Sequence, residues 1–213
     1  MTDFLDTINA IKIPDIWQIS LSFIVSVFIV YLIEWLKQPS VEIMPIADLI
    51  LNDGRKFLKV KVKIGKRGWY RKIFPWQNAA SFARLKGYLI SCCGKDEVVL
   101  FSYTVKWDTR PEPWDYIQNK PRLELLPAVS EPENFLVGDE CSASVAVKHL
   151  KEPHFYIYDG NYYVNQNTNH RNEKQIKLRL IFSSSSISTE KDFFIVNGNS
   201  TTEAFNLIEE EKQ

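Results

Sequence analysis

The chain has 213 residues, of which 45 % are hydrophobic and 13 % aromatic. This content supplies enough apolar surface for a sizeable core and excludes a chain that is disordered throughout. Lysine plus arginine and aspartate plus glutamate number 26 each, so no net charge points to nucleic acid, and we do not expect such a partner.

The first 15 residues form an N-terminal flank with apolar residues at helical spacing, namely Phe4, Leu5, Ile8 and Ile11. This spacing is typical of a helix that lies in the membrane interface. We keep an interfacial helix and an irregular flank as alternatives for residues 1–15.

Residues 16–37 are predicted to form a transmembrane helix. No charged residue occurs in the 18 residues from Ile16 to Ile33. An uncharged apolar segment of about this length is first interpreted as a membrane span. Trp17 and Trp35 are separated by about 27 Å along a helix, close to the hydrocarbon thickness of a bilayer, and resemble its two aromatic belts. Pro39 cannot continue the helix.

A cleaved signal peptide and a buried core helix are the alternatives for this segment. The flank contains Asp3, Asp6 and Asp15 against Lys12, whereas a signal peptide has a basic start and a small-residue cleavage site. Ser22 and Ser26 lie four residues apart, a spacing that lets a second helix approach closely. They predict a protein partner or a homo-oligomer formed through the membrane helix, in addition to contact with the lipid bilayer.

The orientation of the span follows from its flanking basic residues. Lys12 is alone on the N-terminal side, whereas Lys37, Arg55 and Lys56 follow the span. The positive-inside rule therefore predicts a single-pass cell-membrane protein whose large domain is cytoplasmic. The cysteines agree with a reducing compartment, since Cys92, Cys93 and Cys141 lack the spacing of a disulfide framework or a zinc site.

Residues 38–200 are predicted to form an antiparallel β-sandwich. The stretch FLKVKVKI alternates apolar residues with lysine, so its valines should face a core and its lysines water. Turn residues separate further short strands, and helical periodicity is nearly absent. The predicted strands are Phe57–Ile64, Phe82–Ser91, Val98–Trp107, Arg122–Leu126, Cys141–His149, Phe155–Tyr158, Ile176–Phe182 and Asp192–Val196. Residues 201–213 are predicted to be a frayed or helical acidic tail.

The strand rhythm resembles that of immunoglobulin-like and fibronectin type III-like modules, in particular their membrane-tethered versions in prokaryotes. The stretches that carry the resemblance are FLKVKVKI, FARLKGYLI, the strand ending in Trp107, LVGDE before ASVAV, and IKLRLIF followed by DFFIV. The Cys and Trp signature of antibody domains is missing, so the resemblance implies an immunoglobulin-like architecture and no particular activity.

Two insertions interrupt this rhythm, and loops on a rigid scaffold commonly carry binding groups. The first combines positive charge with aromatic rings, through Lys66, Arg67, Trp69, Tyr70, Arg71, Lys72 and Trp76. It is either a solvated face over packed aromatics, a surface that contacts anionic lipid, or a site for a nucleotide-like or other anionic ligand. The second insertion, Asp108 to Lys120, carries Trp114 and Tyr116.

Catalytic and metal-binding motifs are missing from the sequence. It has no HExxH, GxSxG, GxxxxGK[ST] or GxGxxG arrangement, so we expect no enzyme, no cofactor and no metal. A metal site would have to be drawn from His149, His154, Cys141, Glu152 and Asp159, and a carboxylate site from Asp108, Glu112 and Asp115.

The sequence thus predicts a membrane-anchored β-sandwich that acts as an interaction module, as in an accessory subunit of a membrane complex. The alternative is a membrane-tethered sensor that binds an anionic ligand through the first insertion.

Overall fold

The computed structural model describes residues 13–52, 54–65, 79–91, 97–110, 114–115, 120–121, 131–149, 152–158, 170–198 and 204–210. These residues fall into two units, one containing the helix up to Gln38 and the other containing the strands from Pro39 onward. One helix and a series of strands account for most of the described residues.

The helix α1 spans Ile13–Lys37, three residues more at its start than the sequence predicts. Its last turn is closed by a hydrogen bond from Gln38 N–H to the carbonyl of Trp35 at 3.3 Å and by a Lys37–Glu34 ion pair at 2.9 Å. The segment Trp17–Lys37 has a mean hydropathy of 2.2 and is not buried. It is long and apolar enough to cross a membrane, and a signal sequence has the same properties.

Thirteen strands follow the helix in the described residues. They are β1 (Ser40–Ile50), β2 (Arg55–Gly65), β3 (Ala80–Ser91), β4 (Val98–Thr104), β5 (Trp114–Asp115), β6 (Lys120–Pro121), β7 (Glu133–Phe135), β8 (Glu140–His149), β9 (Phe155–Ile157), β10 (His170–Arg171), β11 (Gln175–Ser183), β12 (Ser188–Asn197) and β13 (Phe205–Glu209).

The longer strands build two antiparallel sheets. One sheet has the order β1-β2-β8-β9-β10, and the other has the order β13-β12-β11-β3-β4 with β7 paired to β3. The strands β5 and β6 pair only with each other among the described residues. The predicted fold class, a mainly β chain with one N-terminal apolar helix before an antiparallel sandwich, is confirmed.

A shared hydrophobic core joins the two sheets. Val60 and Val62 of β2 are at most 1 % exposed and belong to the same buried cluster as Leu180 and Phe182 of β11. The hydroxyl of Tyr103 in β4 donates a hydrogen bond of 3.2 Å to a carbonyl of β8. A buried hydroxyl must find a partner, so this bond helps to fix the distance between the sheets.

The lysine alternation of β2 is observed as predicted. Val60, Val62 and Ile64 are buried, whereas Lys61 and Lys63 point to the surface. The predicted strand Val98–Trp107 is shorter than expected, because β4 ends at Thr104 and Trp107 makes an isolated bridge to Ala143 of the other sheet. The predicted strand Arg122–Leu126 lies outside the described residues.

Strands at both ends of the domain were not predicted. The strand β1 contains Pro45 and has an irregular apolar pattern. Pro45 is tolerated because β1 is an edge strand of its sheet. The predicted frayed or helical tail from Thr201 is wrong where the structure describes it, since Phe205–Glu209 pairs with β12. Phe205 is fully buried, and this apolar anchor outweighs the acidic residues that follow it.

Candidate functional site

The chain enters the sandwich at Ser40, and only two residues separate it from the end of α1. Ser40 pairs with Gly65, the last residue of β2, and Lys63 pairs with Glu140, the first residue of β8. Gly138 N–H donates to the carbonyl of Ile64 at 2.7 Å. These residues define one end of the first sheet.

The second sheet contributes to the same end. Its strand β3 begins at Ala80, opposite Phe135 of β7, and the chain then continues from Phe135 to the Gly138 turn. The turn between β11 and β12 is also attached here, because Ser185 N–H donates to the carbonyl of Ser81 at 2.9 Å. We call this part of the sandwich the Ser40 end, formed by Ser40, Gly65, Ala80–Phe82, Leu136–Glu140 and Ser183–Ser188.

The basic aromatic insertion is attached at the Ser40 end through both of its flanks. The strand β2 ends at Gly65 and β3 begins at Ala80, so the intervening segment leaves and returns at this end. The side chains predicted to bind there lie outside the described residues: Lys66, Arg67, Trp69, Tyr70, Arg71, Lys72 and Trp76.

The second insertion is attached close to the same end. Asp108 N–H donates to the carbonyl of Ser142 at 2.9 Å, near the start of β8. Arg110 then pairs with Glu133 at 2.8 Å, which holds the two flanks of the segment 111–130 together. Trp114 is described by its backbone only, in β5, and Tyr116 lies outside the described residues. The structure thus brings the attachment points of both predicted loops to one end of the sandwich.

Two large apolar side chains are exposed at the Ser40 end. Phe82 is 69 % exposed and Leu136 is 66 % exposed. Phe82 lies in a β-bulge between Ala80 and Ala83 and has a φ of 55°, with its N–H bound to Oδ1 of Asn134 at 2.9 Å. A left-handed conformation costs a non-glycine residue about 1–3 kcal/mol, and bulges commonly re-aim a side chain.

Sequence reasoning missed this pair, although one of its two members left a signal in the sequence. Along β3 the buried residues recur with period two, at Ala83, Leu85 and Leu89. The same period places Phe82 on the outer face with Arg84 and Lys86. Leu136 left no comparable signal, because its exposure depends on the turn that follows β7.

The acidic side chains at the start of β8 have close partners. Glu140 accepts from Lys63 and Lys61, each at 2.9 Å, and these hydrogen bonds lower the pKa of Glu140 to about 2. The carboxylate of Asp139 accepts the N–H of Leu136 at 2.6 Å. Both carboxylates are therefore engaged in contacts within this end of the sandwich.

The predicted helix residues are placed on an exposed apolar helix. Trp17 and Trp35 are 73 % and 38 % exposed. Ser26 Oγ donates to the carbonyl of Ser22 at 2.7 Å, so its hydroxyl is satisfied within the helix and can lie against an apolar neighbour. The predicted helix contact through Ser22 and Ser26 stays a prediction.

Of the three carboxylates that the sequence offers as a catalytic site, the structure describes the side chain of Asp108 only. Asp108 accepts from Lys59 at 2.6 Å, Ser142 at 2.7 Å and Ser144 at 3.0 Å. Desolvation alone would raise the pKa of Asp108, but the hydrogen bonds outweigh it and its pKa lies below the usual value. The side chains of Glu112 and Asp115 lie outside the described residues, and the geometry of Asp108 suits a structural anchor for the second insertion.

The histidine cluster is also only partly brought together. His154 Nε2 lies 3.1 Å from Glu152 and 2.7 Å from the hydroxyl of Tyr156. Cys141 lies eight residues before His149 along β8, and burial raises the pKa of its thiol to about 11. Asp159 lies outside the described residues, and no group of three metal-ligating side chains occurs among those that the structure describes.

The opposite half of the second sheet carries an ion-pair network beside a cleft. Lys177 pairs with Glu97 at 2.8 Å, Asp192 at 3.1 Å and Glu210 at 2.9 Å, and Arg179 pairs with Asp192 and Glu97. The cleft beside it has a volume of about 360 Å³ and is partly lined by Ile90, Leu100 and Phe194. The three carboxylates saturate the ammonium group, which therefore serves to hold strands together.

No protein-family model matches the chain, and no curated protein matches it. The fold and the site therefore define a class by architecture, a mainly antiparallel β-sandwich preceded by one helix apolar enough to span a membrane.

Proposed function

We propose that this protein is a single-pass cell-membrane protein whose β-sandwich is a non-catalytic interaction module, as in an accessory subunit of a membrane complex. The helix anchors the chain, and the Ser40 end faces the bilayer. The observation that carries the proposal is the position of Ser40, which follows the apolar helix after two residues. Three Cα steps span at most about 11 Å, so a spanning helix keeps this end near the membrane surface.

The attachment of the basic aromatic insertion supports the same arrangement. Its flanks, Gly65 and Ala80, belong to the end that is tethered to the helix. A basic residue near an anionic leaflet contributes about 1 kcal/mol, and tryptophan and tyrosine favour the interface. The four basic residues of the segment, Lys66, Arg67, Arg71 and Lys72, would together contribute about 4 kcal/mol on this scale.

A cytoplasmic location of the sandwich is part of the proposal. It is supported by the basic residues that follow the span and by the free, buried Cys141. Free cysteines are typical of reducing compartments, and the positive-inside rule places the basic flank in the cytoplasm.

We further propose that the sandwich belongs to the immunoglobulin-like class. The order β1-β2-β8 in one sheet and β4-β3-β11-β12 in the other supports this assignment. It corresponds to strands A-B-E and C′-C-F-G of that architecture. The strand β9 differs from the pattern, because it lies beside β8 but follows it in the chain, whereas strand D precedes strand E.

Alkaline carbonate extraction combined with cysteine labelling tests anchoring and sidedness together. Val98 is 56 % exposed, so Val98→Cys in a chain with Cys92→Ser and Cys93→Ser offers one reactive thiol on the sandwich. Thr2→Cys in the same background is the matched control on the other side of the span. Membrane-impermeant maleimide should label position 98 only after cells are permeabilised, and position 2 in intact cells.

Each alternative outcome overturns one part of the proposal. Labelling of position 98 in intact cells would place the sandwich outside. Release of a shortened chain by carbonate would show that the helix is a cleaved signal sequence. Release of the whole chain would show that the helix does not span the membrane.

A further inference from the structure

Phe82 and Leu136 are the two most exposed large apolar side chains of the described part of the sandwich. Phe82 lies on β3 and Leu136 directly follows the neighbouring strand β7, since Ala80 pairs with Phe135. Their chain neighbours Ala83 and Phe135 point into the core, so Phe82 and Leu136 both lie outside it. They give the Ser40 end an exposed apolar character, and the other large apolar side chains of the described sandwich are exposed to a smaller degree.

The backbone conformation of Phe82 is held by the surrounding fold, and it keeps the side chain exposed. Phe82 has a φ of 55°, a conformation that glycine adopts without steric cost and phenylalanine does not. The bulge holds this conformation through the bond from Phe82 N–H to Asn134 and through the buried Ala80 and Ala83 on either side. Strained residues that the surrounding fold maintains cluster at functional surfaces.

Basic side chains follow Phe82 on the outer face of β3. Arg84 and Lys86 follow Phe82 with period two, and both are exposed. The order along the outer face of β3, from the Ser40 end inward, is thus one aromatic ring followed by two cations. Lipid headgroups present the complementary order, an apolar boundary below and anionic groups above.

We propose that Phe82 and Leu136 insert into the interface of the bilayer that holds α1, and that Arg84 and Lys86 contact its anionic headgroups. This inference rests on the proposed function, because the covalent link at Ser40 is what brings this end to the membrane. The partner is the lipid surface, selected by the tether and by the charge of the outer face of β3.

The test uses the full chain reconstituted in vesicles of phosphatidylcholine and phosphatidylserine, with Cys92→Ser and Cys93→Ser. An environment-sensitive fluorophore is attached at Phe82→Cys, at Leu136→Cys or at the control Val98→Cys, whose site lies at the far end of β4. Lipids with a shallow spin label should quench positions 82 and 136 several-fold more than position 98. Equal quenching at the three positions would overturn the inference.

A second variant separates insertion from the effect of the fluorophore. Phe82→Gly removes the ring at a backbone conformation that glycine favours, so the fold is retained. With the reporter at position 136, this change should reduce quenching, whereas Val99→Gly at the far end should leave it unchanged. Quenching that Phe82→Gly leaves unaltered would show that Phe82 does not insert.

Charge is tested by the double substitution Arg84→Ser and Lys86→Ser in the same vesicles. Two basic contacts correspond to roughly a thirtyfold change in the ratio of inserted to free sandwich. An unchanged ratio would remove the headgroup contact from the proposal. Carbonate extraction of each sample distinguishes failure of the insertion from failure of the anchoring by α1. A chain that resists extraction but shows no quenching refutes the insertion alone. A chain that is released by carbonate refutes the anchoring as well.

Discussion

Truncation of Phe205 to alanine tests whether the C-terminal strand β13 is part of the sandwich core. The side chain of Phe205 is fully buried, and its ring centroid lies 5.5 Å from that of Phe155 in the other sheet. Phe→Ala changes at such sites cost about 3–5 kcal/mol, because apolar contact is lost and a cavity remains. For a domain of this size the same loss lowers the melting temperature by roughly 6–20 °C.

Urea unfolding of the full chain in detergent micelles measures this change. Trp107 is 2 % exposed in the core, so tryptophan fluorescence reports the loss of the sandwich, and the free energy follows by linear extrapolation. Ile208→Ala is the matched control, because Ile208 belongs to the same strand but is 51 % exposed. Its expected effect is within about 0.5 kcal/mol.

Equal midpoints for Phe205→Ala and the wild type would refute the placement of β13. So would a chain truncated after Asn197 that unfolds like the wild type, because that deletion removes the whole pairing with β12. A loss for Ile208→Ala as large as that for Phe205→Ala would show that the effect does not depend on burial.

Three further predictions concern buried or partly buried side chains of the sandwich. Asp108→Asn removes the ion pair to Lys59 and should lower the free energy of unfolding by about 1–2 kcal/mol near neutral pH. Because the pKa of Asp108 is lowered in the folded state, its contribution to stability is present above about pH 4 and is lost as the pH falls through the folded pKa. Urea unfolding at a series of acidic pH values checks this dependence. A difference in unfolding free energy between Asp108→Asn and the wild type that stays constant as the pH falls would contradict the prediction. Burial raises the pKa of the Cys141 thiol to about 11, so iodoacetamide at neutral pH should modify it only in urea, and peptide mass mapping that finds equal modification without urea would disprove its burial. Gly87→Ala would push a methyl group into the ring of Tyr103 and should cost about 1–3 kcal/mol in the same unfolding assay, with partial recovery when Tyr103→Leu is added; an unchanged midpoint would show that the ring moves aside freely.

The sandwich was predictable from the sequence where one face of a strand is clearly apolar. Val60, Val62 and Ile64 alternate with lysines, so period and burial coincide. The strand β1 was missed because its edge position tolerates Pro45, and sequence alone does not reveal which strands lie at an edge.

The candidate site was predictable only in part. The basic aromatic composition of the first insertion was visible directly, but its attachment beside Ser40 depends on the pairing of β1 with β2 and of β3 with β7. The contact of Lys177 with Glu97 joins residues 80 positions apart. Such contacts are set by the tertiary fold, and local pattern carries no information on them.

The two-residue link between α1 and β1 acts as a concentration device. In the proposed membrane arrangement, a link this short would hold the Ser40 end at an effective concentration in the millimolar range or higher relative to the bilayer. Lipid contacts far too weak to recruit a free domain are then sufficient to keep this end occupied. In that arrangement, a protein partner that uses the Ser40 end would have to compete with the bilayer, whereas one that binds the exposed residues 98–100 at the start of β4 would not.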